Sequence, residues 1–128
     1  MNQTERMEGK RVLVTGSGTG IGKGVALEFA REGADVAFHY AHSSQGALEG
    51  AEEARNLGVR AEALKADLTS AEEAIGLAKT AIVFLGGIDV LVNYSGITMY
   101  MPFEAVTVEK FDTLYHVNIR AMFFVTQA

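Results

Sequence analysis

Short apolar runs alternate with longer amphipathic ones along the chain. Val12–Thr15 reads as a short buried strand. It breaks into the glycine loop Gly16–Gly20. A helix is predicted from about Ile21 to Glu32, with Gly22, Val25, Ala26, Phe29 and Ala30 at helical spacing and Gly33 as its stop. Asp35–Tyr40 is a second strand. A second helix runs from Ser44 to Leu57, apolar at Ala47, Leu48, Ala51 and Ala54 and ended by Gly58. Arg60–Ala66 is a third strand. Thr69 and Glu72 have capping-box spacing. The helix behind them carries Ile75, Ala78, Ile82 and Leu85 on one face and stops at Gly86-Gly87. Ile88–Asn93 is a fourth strand. Thr107 can cap a last helical region that runs to Ala128.

This order is β-α-β-α-β-α-β-α. Apolar strands alternating with amphipathic helices predict a parallel sheet covered on both faces. Right-handed crossovers make it doubly wound. No internal repeat, low-complexity tract or linker interrupts the pattern.

Composition narrows the function classes. The 128 residues amount to one ordinary domain, able to bury roughly two-thirds of its unfolded surface. The net charge of −5 argues against a nucleic-acid binder. Without cysteine there is no disulfide, zinc-thiolate site or thiol nucleophile. No apolar run approaches the ~18 residues of a membrane helix, and the polar opening MNQTERMEGK is unlike a signal peptide. The expected location is the cytoplasm, with no membrane partner. No metal site is expected, because His39 and His42 have no third ligand in view.

A strand that feeds a glycine-rich turn and then a helix is a phosphate-binding arrangement. The helix N-terminus offers unpaired N–H groups and about half a positive charge, and glycine lets backbone approach an anion without a Cβ clash. The spacing here is T-G-x-x-x-G-x-G through Gly16, Gly20 and Gly22, and it matches neither G-x-G-x-x-G nor the P-loop string. The alternative is a flexible turn with no ligand.

Four segments in order then carry a resemblance. They are TGSGTGIG behind the first strand, ADL (Ala66–Leu68) behind the third, NYSG (Asn93–Gly96) behind the fourth, and HVNIRAMFFVTQA (His116–Ala128). Together they resemble the short-chain dehydrogenases/reductases, in the cluster of 3-oxoacyl-carrier-protein reductases and glucose dehydrogenases. The resemblance covers the chain and implies a Rossmann-type sheet binding a nicotinamide dinucleotide. It implies that Gly16, Gly20 and Gly22 carry the pyrophosphate turn, with Ser17, Thr19 and Ile21 alongside. Asp67, beside Leu68, would accept from the adenine amino group. Asn93 and Gly96 would line the adenosine ribose, while Tyr94 and Ser95 depart from the family's usual N-A. Asn118 would bend the last helix and hold a water in a proton relay. Its apolar neighbours Phe111, Leu114, Tyr115, Met122 and Val125 predict that it is buried. An unpaired buried amide costs ~1–3 kcal/mol, so a partner is expected; a core Asn satisfied by backbone is the other reading.

Cofactor choice turns on the end of the second strand. NAD enzymes place an acid there. Here the stretch Tyr40, Ala41, His42, Ser43, Ser44 has none, and His42, Ser43 and Ser44 could donate to a 2′-phosphate, so NADP(H) is favoured over NAD(H).

The family's chemistry also needs a Tyr, a Lys four residues later, and a Ser that orients the carbonyl. The fourth residue after Tyr40, Tyr94, Tyr100 and Tyr115 is Ser44, Thr98, Glu104 and Ile119. None is Lys. Residues 1–128 therefore match the dinucleotide-binding half of a single domain. The complete protein would reduce a carbonyl or oxidise an alcohol by hydride transfer. Two other readings remain, a non-catalytic dinucleotide-binding module and an interaction protein. The fourth strand would be a bare sheet edge. The apolar last helix is expected to be buried by something, and the resemblance implies that it packs in a homo-oligomer interface.

Overall fold

The computed structural model describes residues 6–97 and 100–128. The elements run β1 (Arg11–Val14), α1 (Gly20–Arg31), β2 (Asp35–Tyr40), α2 (Gln45–Asn56), β3 (Ala61–Lys65), α3 (Ala71–Leu85) and β4 (Val90–Val92). A 3-10 turn (Phe103–Ala105), α4 (Val108–Tyr115), a π turn (His116–Arg120) and α5 (Ala121–Gln127) follow. The four strands pair in parallel in the order β3-β2-β1-β4. This is the predicted doubly wound α/β fold. The chain leaves β3 at one edge and crosses to β4 beyond β1. That reversal opens a crevice at the carboxyl ends of β1 and β4, where open α/β sheets bind ligands.

Strand alternation divides the core. Val12, Val14, Val36 and Phe38 pack with Ala26, Ala30, Ala47, Ala51 and Ala54 of α1 and α2. Leu13, Ala37 and Leu91 face the other way, onto Leu77, Ala78 and Ala81 of α3 and Ala121 and Val125 of α5. Arg11 fastens the starts of β1 and β4, with its Nε 3.0 Å from Asp89 Oδ2 and its Nη1 donating to the Gly86 carbonyl.

Helix faces differ from the sequence expectation in detail. In α2, Leu48 is exposed and Gly50 takes a buried position, so close to Phe38 that a Cβ there would come within 2.7 Å of it. In α3 the buried stripe is Ala74, Leu77, Ala78, Ala81 and Leu85, whereas Ile82 turns outward. Small side chains against the sheet allow close packing, which outweighs the hydrophobicity of any single isoleucine. The cap of α3 is Ser70, one residue beyond the predicted Thr69. Its hydroxyl accepts from the Glu73 N–H at 3.2 Å, while Thr69 turns back to Asp67. Thr107 caps α4 as expected, accepting from the Lys110 N–H.

β4 lies at a sheet edge. The last helix buries Ala121 and Val125 and leaves Phe111, Tyr115, Ile119, Met122 and Phe123 exposed. Asn118 is therefore half-buried rather than enclosed in an apolar stripe, because Phe111, Tyr115 and Met122 of that stripe are exposed and only Val125 is buried against the sheet.

Candidate cofactor site

A cavity of 430 Å³ opens at the crevice. Its walls come from the glycine turn (Gly16, Thr19, Gly20, Ile21), the end of β2 (His39, Ala41, His42) and the segment after β3 (Asp67, Leu68, Thr69). The segment after β4 (Tyr94 to Ile97) and the last helix (Thr113, Val117) complete it. Four loops distant in sequence meet there because parallel strands deliver all their carboxyl ends to one side of the sheet.

The glycine turn has the geometry that a phosphate needs. Gly16 and Gly20 take φ of +64° and +56°, in the left-handed region. Thr19 is the N-cap of α1, yet its side chain makes no capping bond, and the first turn carries no acid. The first backbone N–H returned to the helix is that of Lys23, on the Thr19 carbonyl at 3.2 Å. The N–H groups of Gly20, Ile21 and Gly22 thus have no intrahelical acceptor. They stand at the positive end of the helix beside the cavity, an arrangement that fits a dinucleotide pyrophosphate.

Gly22 does a different job. A Cβ there would lie 2.2 Å from the Gly16 carbonyl oxygen and 2.9 Å from Tyr94. Its bare Cα lets α1 pack against the turn. Gly46 was not singled out by the sequence, yet a Cβ there would lie 1.9 Å from the Gly18 carbonyl oxygen, so it admits α2 to the same turn.

Asp67 stands at the far wall. Its Oδ1 accepts from the Thr69 hydroxyl at 2.7 Å and from the Thr69 N–H at 2.9 Å. These bonds, the hydroxyl first, hold the carboxylate below its usual range, with a smaller contribution from His42. Among the described residues Oδ2 takes no hydrogen bond. The Asp67 N–H is tied to Glu73 Oε1 at 2.9 Å, so α3 helps to orient the segment.

The turn after β4, which carries Tyr94 and Ser95, is held by Thr15. Thr15 Oγ1 accepts from the N–H groups of Tyr94 and Ser95 at 3.0 and 3.1 Å. Thr15 is buried, and its hydroxyl couples this turn to the glycine turn. Asn118 reaches the same wall: its Oδ1 accepts from the Ile97 N–H at 2.8 Å, and its Nδ2 donates to the Ile97 carbonyl at 3.0 Å. The backbone expected to satisfy this amide is that of Ile97. A π turn, His116–Arg120, surrounds Asn118.

Gly16, Thr19, Gly20, Ile21, His42, Asp67, Leu68 and Gly96 line the cavity. Ser17, Gly22, Tyr40, Ser43 and Asn93 do not. Ser17 is fully buried below the turn, where its hydroxyl donates to the Val14 carbonyl at 2.7 Å. Asn93 Nδ2 donates to Thr126 Oγ1 at 3.1 Å and so faces α5. Polar side chains in a tight strand-to-helix turn must satisfy backbone first, which draws Ser17 inward. Sequence reasoning missed Thr15, Gly46 and the lining role of His39. Only Thr15 carried a signal, as the first residue of the T-G string.

The family model for short chain dehydrogenases matches residues 10–128. This chain belongs to the short-chain dehydrogenase/reductase family. A hydroxynaphthalene reductase-like protein of Metarhizium robertsii is 42% identical over 121 residues, covering 94% of this chain and 45% of that protein. A short chain dehydrogenase of Emericella nidulans is 39% identical, covering 95% and 46%. Among solved structures, a short chain dehydrogenase from Burkholderia cenocepacia in complex with NADP superposes with a TM-score of 0.93 at 35% identity, covering 95% of this chain and 50% of that one. A blue fluorescent protein from a metagenomic library, in complex with NADPH, gives 0.92 at 36%, with the same coverage. The chain spans about half the length of the relatives it matches. Among the described residues no helix is long and apolar enough to cross a membrane, and no three His, Asp or Glu gather as a metal site.

Proposed function

We propose that residues 1–128 are the dinucleotide-binding half of a short-chain oxidoreductase that prefers NADP(H) to NAD(H). The observation that carries this reading is the uncapped N-terminus of α1, with Gly16 and Gly20 in left-handed conformation, opening onto the Asp67 cavity. In it, Gly16, Gly20 and Ile21 take the pyrophosphate, with Gly22 bringing α1 close. Asp67 takes the adenine amino group, and Gly96 keeps the ribose side open. His42 and Ser43, behind Tyr40 and with no acid among them, receive the 2′-phosphate. When bound, a nicotinamide would give a hydride to a carbonyl carbon or take one from an alcohol carbon. Asn118 holds the wall at Ile97 and keeps its place in a proton relay. The Ser and the Tyr-x-x-x-Lys that complete such chemistry are not among these residues, so catalysis falls to the complete protein, acting on a small carbonyl or alcohol in the cytoplasm. The exposed apolar side chains of the last helix support a homo-oligomeric contact.

Titration of the chain with NADPH and NADH, followed by nucleotide fluorescence, tests the reading. Tighter binding of NADPH is expected. No binding of either at millimolar concentration would overturn it. Intact-mass measurement of the natural polypeptide and a hydride-transfer assay on that species separate the oxidoreductase from a binding module without catalysis.

A further inference from the structure

His39 is the polar residue that the cofactor reading leaves without a task. It lies on β2, 2% exposed, beneath the glycine turn. Its Nδ1 accepts from the Gly16 N–H at 2.9 Å, and its Nε2 is 2.9 Å from the Ala66 carbonyl oxygen. The backbone dictates the tautomer. A backbone N–H only donates, so Nδ1 is bare; a carbonyl only accepts, so Nε2 carries the proton. The His39 backbone is engaged as well, since its N–H donates to Ser17 Oγ at 2.8 Å and its carbonyl accepts from the Ser17 N–H at 3.1 Å. One residue thus ties the phosphate side of the cavity, at Gly16, to the last residue before Asp67.

We propose that His39 is a positioning residue for the dinucleotide: as the neutral Nε2–H tautomer it pins the glycine turn to the end of β3 and sets the distance between the pyrophosphate and adenine subsites. This rests on the cofactor reading above. Protonation would place a second donor at Nδ1, facing the Gly16 N–H, and the turn would have to move. Cofactor binding therefore weakens in acid. Among the described residues, the Ser95 hydroxyl also stands against the ring, 3.5 Å from Nδ1. His42 on the β2 side, Asp67 on the β3 side and Tyr94 on the β4 side are titratable neighbours lining the same cavity. Burial holds the imidazole below the ordinary histidine range, against a weaker pull from the Ala66 carbonyl, so the neutral form persists at neutral pH.

The test uses the nitrogen-15-labelled full chain without cofactor, then with NADPH. The His39 ring shifts should report a bare Nδ1 and a protonated Nε2. His39→Leu should raise Gly16 amide exchange and weaken NADPH binding, each by about fivefold or more. His39→Asn places an amide oxygen near the Nδ1 position. It should restore both and remove the part of the pH dependence due to His39, which falls below about pH 6.5. A protonated Nδ1, or unchanged Gly16 exchange in folded His39→Leu, would overturn the proposal. If His39→Leu does not fold, the ring shifts and the pH profile of His39→Asn decide. Loss of all NADPH binding in the unsubstituted chain defeats the cofactor reading instead, and the ring shifts and amide exchange still judge whether His39 pins the turn.

Discussion

Asn118 grips Ile97 from across the cavity wall, accepting from its N–H at 2.8 Å and donating to its carbonyl at 3.0 Å. One side-chain amide thus satisfies both backbone groups of a residue that follows β4, as a neighbouring strand would. The contact comes from the π turn, where the helix widens.

Replacing this amide tests its weight. Asn118→Leu removes two hydrogen bonds at a half-buried site and should cost about 1–3 kcal/mol in urea unfolding. NADPH affinity should fall with it, because Gly96 and Ile97 lose their anchor. A variant as stable as the parent would show that water replaces the amide freely.

Gly22→Ala should be far more costly than an ordinary helix glycine-to-alanine change. The new methyl would sit 2.2 Å from the Gly16 carbonyl oxygen, which is backbone and cannot rotate away. A loss of about 1–3 kcal/mol or more is expected, read as a fall in thermal midpoint.

Gly20→Val separates binding from folding. A Cβ at Gly20 meets nothing within 4 Å, but φ is +56°. The strain should cost about 1–2 kcal/mol and leave the chain folded. The side chain would stand where the pyrophosphate belongs, so NADPH binding should disappear. A folded variant with full affinity would contradict the assignment of the turn.

Asp67→Ala removes the acceptor proposed for the adenine and the Thr69 tie. Binding should weaken by about 1 kcal/mol or somewhat more. Titrations of NADPH against a fragment that lacks adenine would reveal the subsite. The variant should lose affinity for the whole cofactor and not for the fragment.

Stability should also fall in acid through His39. Its folded-state pKa is depressed, with burial as the leading cause. The unfolded chain binds a proton below about pH 6.5, where the native ring still refuses one. Stability is therefore full above that value and declines as pH drops from there through the folded pKa. Urea midpoints of the parent and of His39→Asn, compared across this range, isolate the contribution.

Much of the site was legible in the chain. The glycine spacing behind a short apolar strand located the turn, and Asp67 came from the family resemblance that the segment Ala66–Leu68 helps to carry. Gly46 and His39 were not legible as site residues. Nothing local distinguishes a glycine that spares a distant carbonyl from one that merely loosens a helix. His39 reads as another strand residue until Gly16 and Ala66 arrive on its two sides.

By itself the sequence determined the alternation of strands and helices, the stops at Gly33, Gly58 and Gly86, and the glycine turn. Each follows from local periodicity and backbone freedom. Only the tertiary structure decided that Ser17 and Asn93 turn from the cavity, that alanines rather than Ile82 face the sheet, and that Thr15 and Asn118 hold the turn after β4. Those outcomes depend on which backbone donors and acceptors, remote in the chain, are brought within reach when parallel strands align their ends.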